Sequence, residues 1–411
     1  MTQILPFKAV RPLRAKAGLV ATRSYDDYSE AEIKAILQYN PYSFLHILNP
    51  GFKFQHQITG SHKFEMVRNR YLEFKEENSF IKDKKPAYYL YKIVSRETSC
   101  FGIIAAASVK DYENNLIKKH EDTIANREIL FKDYLKTVGF NTEPVLLTYP
   151  DSPRLNELLK QVMQTRAEYE FATTDKEVHY LWKIDKTPLV ETIKEEFEKM
   201  SHLYIADGHH RSASSYMLSK ETENGNPGHN GRESYNYFMS YLISESNLKI
   251  HEYSRLIRDL NNYSKEEFLI KLDEHFRIEN HGNKFLAPLE KHHFNMYLDG
   301  EFYSLYLRKT NYKFSDSLSK LDPYILYKKV LQPILGIEDL RNDRRISYIH
   351  GKYDLIEIKS RIDSGEFAVG FGMLPLSIEE IKETADEGLT MPPKSTYIEP
   401  KLRSGLTIYE F

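Results

Sequence analysis

Leu203-Tyr204-Ile205-Ala206-Asp207-Gly208-His209-His210-Arg211 reads as an apolar strand that runs into a polar turn and then into a helix. Leu-Tyr-Ile-Ala has the continuous apolar character of a buried strand, and Gly208 permits the positive φ that a sharp reversal often needs. Beyond the turn, residues 212–220 can be helical. Such a junction leaves backbone N–H groups unpaired at a helix N-terminus, with the positive end of the macrodipole behind them. Phosphate suits that place. His209, His210 and Arg211 would add donors at the same spot, and arginine grips a phosphate with two parallel hydrogen bonds. Asp207, at the strand's end, is placed to hold a divalent cation or to position a proton. A plain helix cap uses the same spacing; two imidazoles followed by a guanidinium tilt the reading toward chemistry.

Outward from the turn, strands and helices alternate. Before it, residues 87–94 and 100–107 read as adjacent strands, 143–151 as a strand closed by a proline turn, 154–168 as a helix, 179–184 as a strand and 188–200 as a helix. Ser29 caps a helix that runs to about Tyr39, and 61–78 has a helical apolar rhythm. After the turn, 221–233 contains Gly225, Pro227, Gly228 and Gly231 and reads as a loop able to cover a ligand, followed by a buried strand at 237–244. A new helical pattern from Ser264 suggests a boundary near Asn261, and so a 1–260 part and a 261–411 part. In the second part, 294–307 alternates around Leu298-Asp299-Gly300-Glu301 as a hairpin, with a helix at 323–331, a strand at 367–374 and a helix at 378–387. This alternation favours α/β or α+β organisation.

Two further stretches carry chemistry. The run from Ile117 to Glu128 holds His120, Glu121, Asp122, Thr123 and Arg127. On a helix, His120, Thr123 and Arg127 would share one face. His120 would then suit a general base or metal ligand, Glu121 its carboxylate partner and Arg127 a phosphate clamp; a solvated charged helix has the same composition. Near the end, the prolines of Met391-Pro392-Pro393-Lys394-Ser395-Thr396 fix an extended path that presents Lys394, Ser395, Thr396 and, further on, Lys401. That set suits an anion, or a strap whose lysine pairs with a carboxylate.

Composition narrows the classes. With 57 Lys plus Arg against 59 Asp plus Glu the net charge is −2, which gives no global pull toward nucleic acid or membrane. Cys100 is the single cysteine, so an intramolecular disulfide and a cysteine-rich zinc site are excluded. Met1 to Lys8 lacks the apolar core of a secretory signal, and the apolar run 101–109 is too short to span a bilayer, so a soluble cytoplasmic protein without a membrane partner is expected. A Walker loop, a dinucleotide glycine fingerprint and a nucleophile elbow are absent from the sequence, so the commonest nucleotide and hydrolase folds have no support; no helix-turn-helix signature or strongly basic segment accompanies the turn, which disfavours nucleic acid as a partner.

Ala206 to Arg211, together with Lys118-Lys119-His120-Glu121-Asp122-Thr123 and Met391 to Thr396, resembles the domain-of-unknown-function (DUF) 1015 family, over nearly the whole chain from Pro6 to Leu406. That family names no reaction. The Asp-Gly-His-His-Arg turn is also similar to the phosphate-binding turn of free-serine kinases that use ADP or ATP, which have the ParB and sulfiredoxin-like fold. This resemblance implies a turn that cradles nucleotide phosphate, with Asp207 in catalysis or metal binding. It also implies a glutamate base upstream, for which Glu121 is the candidate. The expectation is an α+β, mixed-sheet composite fold, with a ParB/sulfiredoxin-like nucleotide-binding core and a C-terminal α/β portion. Its function would be that of a nucleotide-dependent phosphotransferase acting on a small molecule with a serine-like hydroxyl, with ATP or ADP and Mg2+ implied by the resemblance. Asp207, His120 and Glu121 are the catalytic candidates, with Asp207 also the metal ligand. Gly208, His209, His210, Arg211, Thr123, Arg127, Lys394, Ser395 and Thr396 are the phosphate-binding candidates. The alternatives are a non-catalytic nucleotide-binding regulatory protein and a metal-dependent hydrolase using His120, Glu121, His209 and His210.

Overall fold

The computed structural model describes residues 1–411 except Gln55, Gln57, Glu97, Lys352 and Tyr353, and describes only the backbone of Asp26, Asp354 and Leu355. The chain forms two compact units. The first comprises Met1–Lys119, Thr123–Leu248 and Pro400–Phe411, the second His120–Asp122 and Lys249–Glu399. Position 260/261, where the sequence pattern changes, falls inside the second unit, after a strand whose Ile257 belongs to that unit's core.

The first unit is built on a nine-stranded mixed sheet. Its order is Ile117–Lys118, Leu203–Asp207, Val145–Tyr149, Tyr237–Ser244, Ser99–Ser108, Tyr88–Val94, Val178–Ile184 and Tyr169–Ala172, with Ile4–Leu5 also paired to Ser99–Ser108. Leu203–Asp207 runs parallel to Ile117–Lys118 and Tyr237–Ser244 parallel to Val145–Tyr149, while the other pairings are antiparallel. The 87–94 and 100–107 stretches thus pair as the sequence suggests. Ala105 and Ala107 are small enough to let the sheet's central strand pack closely, and they sit in a core with Leu147, Ile205 and Leu242. Helices Pro153–Met163 and Thr187–Glu198 cover this core through Leu155, Leu159, Ile193 and Phe197. Helix His209–Gly225 packs on Ala125–Val138, which packs in turn on Gly60–Glu76.

Three local expectations change. The run 117–128 is not one helix: Ile117 and Lys118 join the sheet beside Leu203 and Tyr204, and the helix starts only at Ala125. His120, Thr123 and Arg127 therefore share no helix face, because pairing at the sheet edge holds the start of the run extended. The helix after the turn runs on to Gly225, into the stretch read as loop; Leu218 is buried and Glu221 is held by Lys132 and Lys136 at 2.6 Å each. The helix placed at 154–168 stops at Met163.

The second unit is a six-stranded antiparallel sheet in the order Phe276–Asn280, Glu301–Leu307, His293–Leu298, Val369–Met373, Tyr253–Ile257 and Ile346–His350. Asp299 at φ 49° and Gly300 at φ 81° make the tight hairpin turn that this sequence pair favours. Asp322–Leu326 and the wider turn Tyr327–Leu331 deliver Ile325, Leu326, Val330 and Leu331 to the core on one face of the sheet. His120 and Asp122 are strapped into this unit. Met391 N–H donates to the His120 carbonyl at 2.9 Å, Thr390 Oγ1 to Asp122 Oδ1 at 3.1 Å, and Arg341 Nη2 to the Asp122 carbonyl at 3.0 Å. Among the described residues no helix is long and apolar enough to cross a membrane.

The C-terminal segment closes the first unit through buried Arg403, which pairs with Asp175 at 2.7 Å and Glu177 at 2.8 Å. His179, 3.5 Å from Glu177, and Arg403 together hold the Glu177 carboxyl down at about 2. A carboxyl held below its unfolded value of about 4.3 adds stability that is complete above that pH and disappears as pH falls toward 2. Glu177→Gln should therefore cost on the order of 2 kcal/mol at pH 7 in urea titrations, with the gap to the unmodified protein closing between about pH 4.5 and pH 2.

Candidate functional site

Asp207 ends its strand at an irregularity. Ile205 faces Leu147 and Asp207 faces Leu146, so Ala206 is the extra residue of a bulge. Bulges re-aim the side chain that follows them. Gly208 then turns the chain at φ 99°, ψ 31° and caps the 17-residue helix His209–Gly225. A Cβ at Gly208 would lie 2.9 Å from Arg211 Nε and 3.1 Å from its Cζ, so the guanidinium rests directly against the glycine. Glycine thus serves twice, for the left-handed backbone and for the approach of Arg211.

From that seat Arg211 reaches both sides of the turn. Nη2 donates to Asp207 Oδ2 at 2.7 Å and Nη1 to the Pro144 carbonyl at 2.7 Å, with Glu143 Oε2 3.9 Å from Nη1. Lys401 Nζ stands 3.7 Å from Asp207 Oδ1. The tail also fixes the neighbouring loop: Ser404 Oγ donates to Glu143 Oε1 at 3.1 Å and Gly405 N–H to Thr142 Oγ1 at 3.1 Å. Three stretches far apart in sequence, 142–144, 207–211 and 401–405, therefore form one cluster of two cations and two carboxylates. The Asp207 and Arg211 side chains are 42% and 30% exposed, so their pair adds about 1 kcal/mol or less. His209 is buried in the first helical turn, and His210 is half-buried. The Ser212, Ser214 and Ser215 hydroxyls donate back to carbonyls of residues 208–211, which ties the first two turns together.

Arg211 also lines a cavity of about 260 Å³. Its walls include Tyr25, Phe64, Phe131, Tyr134, Phe140 and Phe238, and its polar rim includes Lys63, Asn141, Glu143 and Ser214. A cavity of about 150 Å³ holds one benzene ring, so this space admits a larger flat apolar body. One guanidinium thus borders both an apolar cavity and a helix N-terminus.

The remaining candidates are carried by other elements. Thr123 resumes the first unit and donates its hydroxyl to Glu128, and Arg127 is exposed in the first turn of Ala125–Val138. His120 and Glu121 belong to the second unit; His120 is 2% exposed, and burial pushes its imidazole down to about 4, which makes it a weak base. Lys394, Ser395 and Thr396 also belong to the second unit. Lys394 is exposed at φ 57°, its carbonyl accepting from buried Arg255 at 3.2 Å, while Ser395 donates to the Pro392 carbonyl at 2.7 Å. Among the described residues no group of three or more His, Cys, Asp or Glu side chains comes together as a metal site, which leaves the hydrolase set of His120, Glu121, His209 and His210 without a ligand cluster. Glu143 and the cavity aromatics had no sequence signal, since they come from separate elements with ordinary core spacing.

A family model described as a protein of unknown function, DUF1015, matches residues 4–324. No curated protein matches the chain. Solved structures that are similar include a C-terminally truncated SbnI from Staphylococcus aureus, at 14% identity and a TM-score of 0.39 over 74% of this chain and 87% of that one. A free serine kinase in complex with AMP is similar at 12% identity and a TM-score of 0.36, over 74% and 91%. A conserved hypothetical protein from Pyrococcus furiosus is similar at 13% identity and 0.36, over 74% and 94%. None of the three is close enough to carry a function over.

Because residue 208 needs φ near 99° and no Cβ, Gly208→Ala should destabilise the protein by about 1–2 kcal/mol in urea unfolding. Gly225→Ala, at a helix end with open space around it, should stay within about 0.5 kcal/mol.

Proposed function

The chain belongs to the DUF1015 family, and from its central turn we propose that the first unit binds a nucleotide or a similar phosphorylated small molecule and transfers a phosphoryl group from it to a hydroxyl. The observation that carries this reading is the position of Arg211, seated on the helix N-terminus, paired with Asp207 and lining the aromatic cavity. A nucleoside phosphate has the matching two-part chemistry: a flat ring for the cavity and an anionic chain for the turn.

On binding, Arg211 exchanges Asp207 for phosphate oxygens, and the backbone N–H groups after Gly208 and Lys401 add further positive potential. Asp207, still beside Lys401, then accepts the proton of an acceptor hydroxyl. Phosphoryl transfer asks for positioning and charge neutralisation more than for covalent chemistry, and a turn of this kind offers both. Mg2+ would be held by Asp207 together with the phosphates, since it commonly binds through one or two carboxylates and substrate oxygens, and would supply neutralisation of the transferring group. His120 and Glu121 are carried by the second unit, so the proposal for the first unit stands on Asp207, Arg211 and Lys401.

The test is a thermal-shift titration with ATP, ADP, AMP and inorganic phosphate, followed by transfer of labelled phosphate to a panel of small alcohols, serine first. A ligand that binds the native state raises its stability, by about 2.7 kcal/mol at a hundred times Kd. ATP or ADP should raise Tm in the unmodified protein, and Arg211→Ala should remove most of the rise. Asp207→Asn should keep the rise and lose transfer. The reading fails if no nucleotide shifts Tm, or if the shift is equal in Arg211→Ala. A shift without transfer to any acceptor would leave a nucleotide-binding regulatory protein in its place.

A further inference from the structure

Val369–Met373, a strand paired on both sides in the second unit's sheet, contains Gly370 and Gly372. Glycine inside a strand costs stability and gives no side chain to the core, so two of them on one face call for a reason. At Gly370 the reason is packing, since a Cβ there would meet Ile358 Cγ2 at 2.8 Å. At Gly372 it is a polar group, since a Cβ would lie 2.4 Å from Asn295 Oδ1.

Asn295 faces Gly372 on one side and Ser304 on the other, and Ser254 comes one residue beyond the Arg255–Phe371 pair on the far side of Gly372. A polar row thus crosses an otherwise apolar sheet face. It floors a cavity of about 160 Å³. Among the described residues the Asn295 amide makes no side-chain hydrogen bond, although an amide offers two donors and two acceptor lone pairs.

The cavity's remaining walls say what belongs there. Phe285, Tyr297 and Phe302 form an aromatic side, with Phe302 at 5.6 Å from Phe285 and 4.5 Å from Tyr297. The Tyr297 ring is held in place through its hydroxyl, which donates to Asp363 and accepts from Lys359, each at 2.6 Å. Glu252 is the one charged residue lining the cavity among those described, and no Lys, Arg or His nitrogen of the described residues lies within 4 Å of its carboxylate.

We propose that this cavity is a binding site for a small primary amine with one ring or a short apolar body. The ammonium is taken by the Glu252 carboxylate, with Asn295 Oδ1 and the Ser254 hydroxyl as further acceptors, and the body lies against the aromatic side. Charge-assisted hydrogen bonds and the attraction of a cation to ring faces act together there. The volume is close to the roughly 150 Å³ that holds one benzene ring. Every residue involved belongs to the second unit, so the site takes no residue from the turn at 207–211.

The test uses the full chain and isothermal titration with three probes of one size: benzylamine, benzyl alcohol and benzoate. Benzylamine should bind one to one, benzyl alcohol at least ten-fold more weakly, and benzoate without detectable heat. Glu252→Gln, a conservative change at a half-buried position, should weaken benzylamine at least ten-fold while leaving Tm without ligand unchanged, and Asn295→Leu should weaken it as well. Arg211→Ala should leave benzylamine binding intact. The proposal is overturned if benzylamine gives no saturable heat, if the alcohol binds as tightly as the amine, or if Glu252→Gln binds benzylamine as tightly as the unmodified chain.

Discussion

The contact between the Arg211 guanidinium and the bare Cα of Gly208 is the constraint on which the first unit's site depends. A side chain at 208 would push the guanidinium aside and strain the left-handed backbone that starts the helix. With glycine there, one side chain links the end of a strand, the beginning of a helix, the Pro144 carbonyl and the rim of a cavity. The pairs it makes are individually weak because they are partly exposed. In the proposed reading, that weakness would let an incoming anion replace Asp207 without unfolding the turn.

The last twelve residues belong to this unit as firmly as the strands do. Arg403 is buried between Asp175 and Glu177, Ile408 exchanges backbone hydrogen bonds with Val10, and Ser404 and Gly405 hold the 142–143 loop. Lys401 reaches Asp207 as part of the same strap. The second unit is held by an analogous device, in which the 390–391 segment grips His120 and Asp122. The Lys118 to Thr123 run is therefore divided between units, and the backbone of His120 and Asp122 with the Asp122 carboxylate is held within the second.

Much of this was readable from residue patterns. The strand, the glycine and the helix of 203–220, the 88–108 hairpin and the Asp299-Gly300 turn all rest on nearest-neighbour rules: alternation, apolar runs and residues that tolerate positive φ. Those rules act over a few residues and were met. They failed where a distant partner decided the outcome. Ile117 and Lys118 look like the start of a charged helix until a sheet edge offers them hydrogen bonds, and Gly225 looks like a loop residue until Lys132 and Lys136 hold the helix past Glu221.

The sequence by itself determined that this turn would carry a left-handed glycine, a helix N-terminus and a cluster of cationic side chains, because those properties belong to the residues and their immediate order. Tertiary structure alone decided which side chains remain at the surface. It buried His209 and His120, sent Lys394 to the second unit, brought Glu143 to Arg211 and Lys401 to Asp207, and gathered aromatic rings around the cavity that Arg211 lines. Burial and proximity depend on which elements pack together, and that choice is made by contacts between residues tens to hundreds of positions apart.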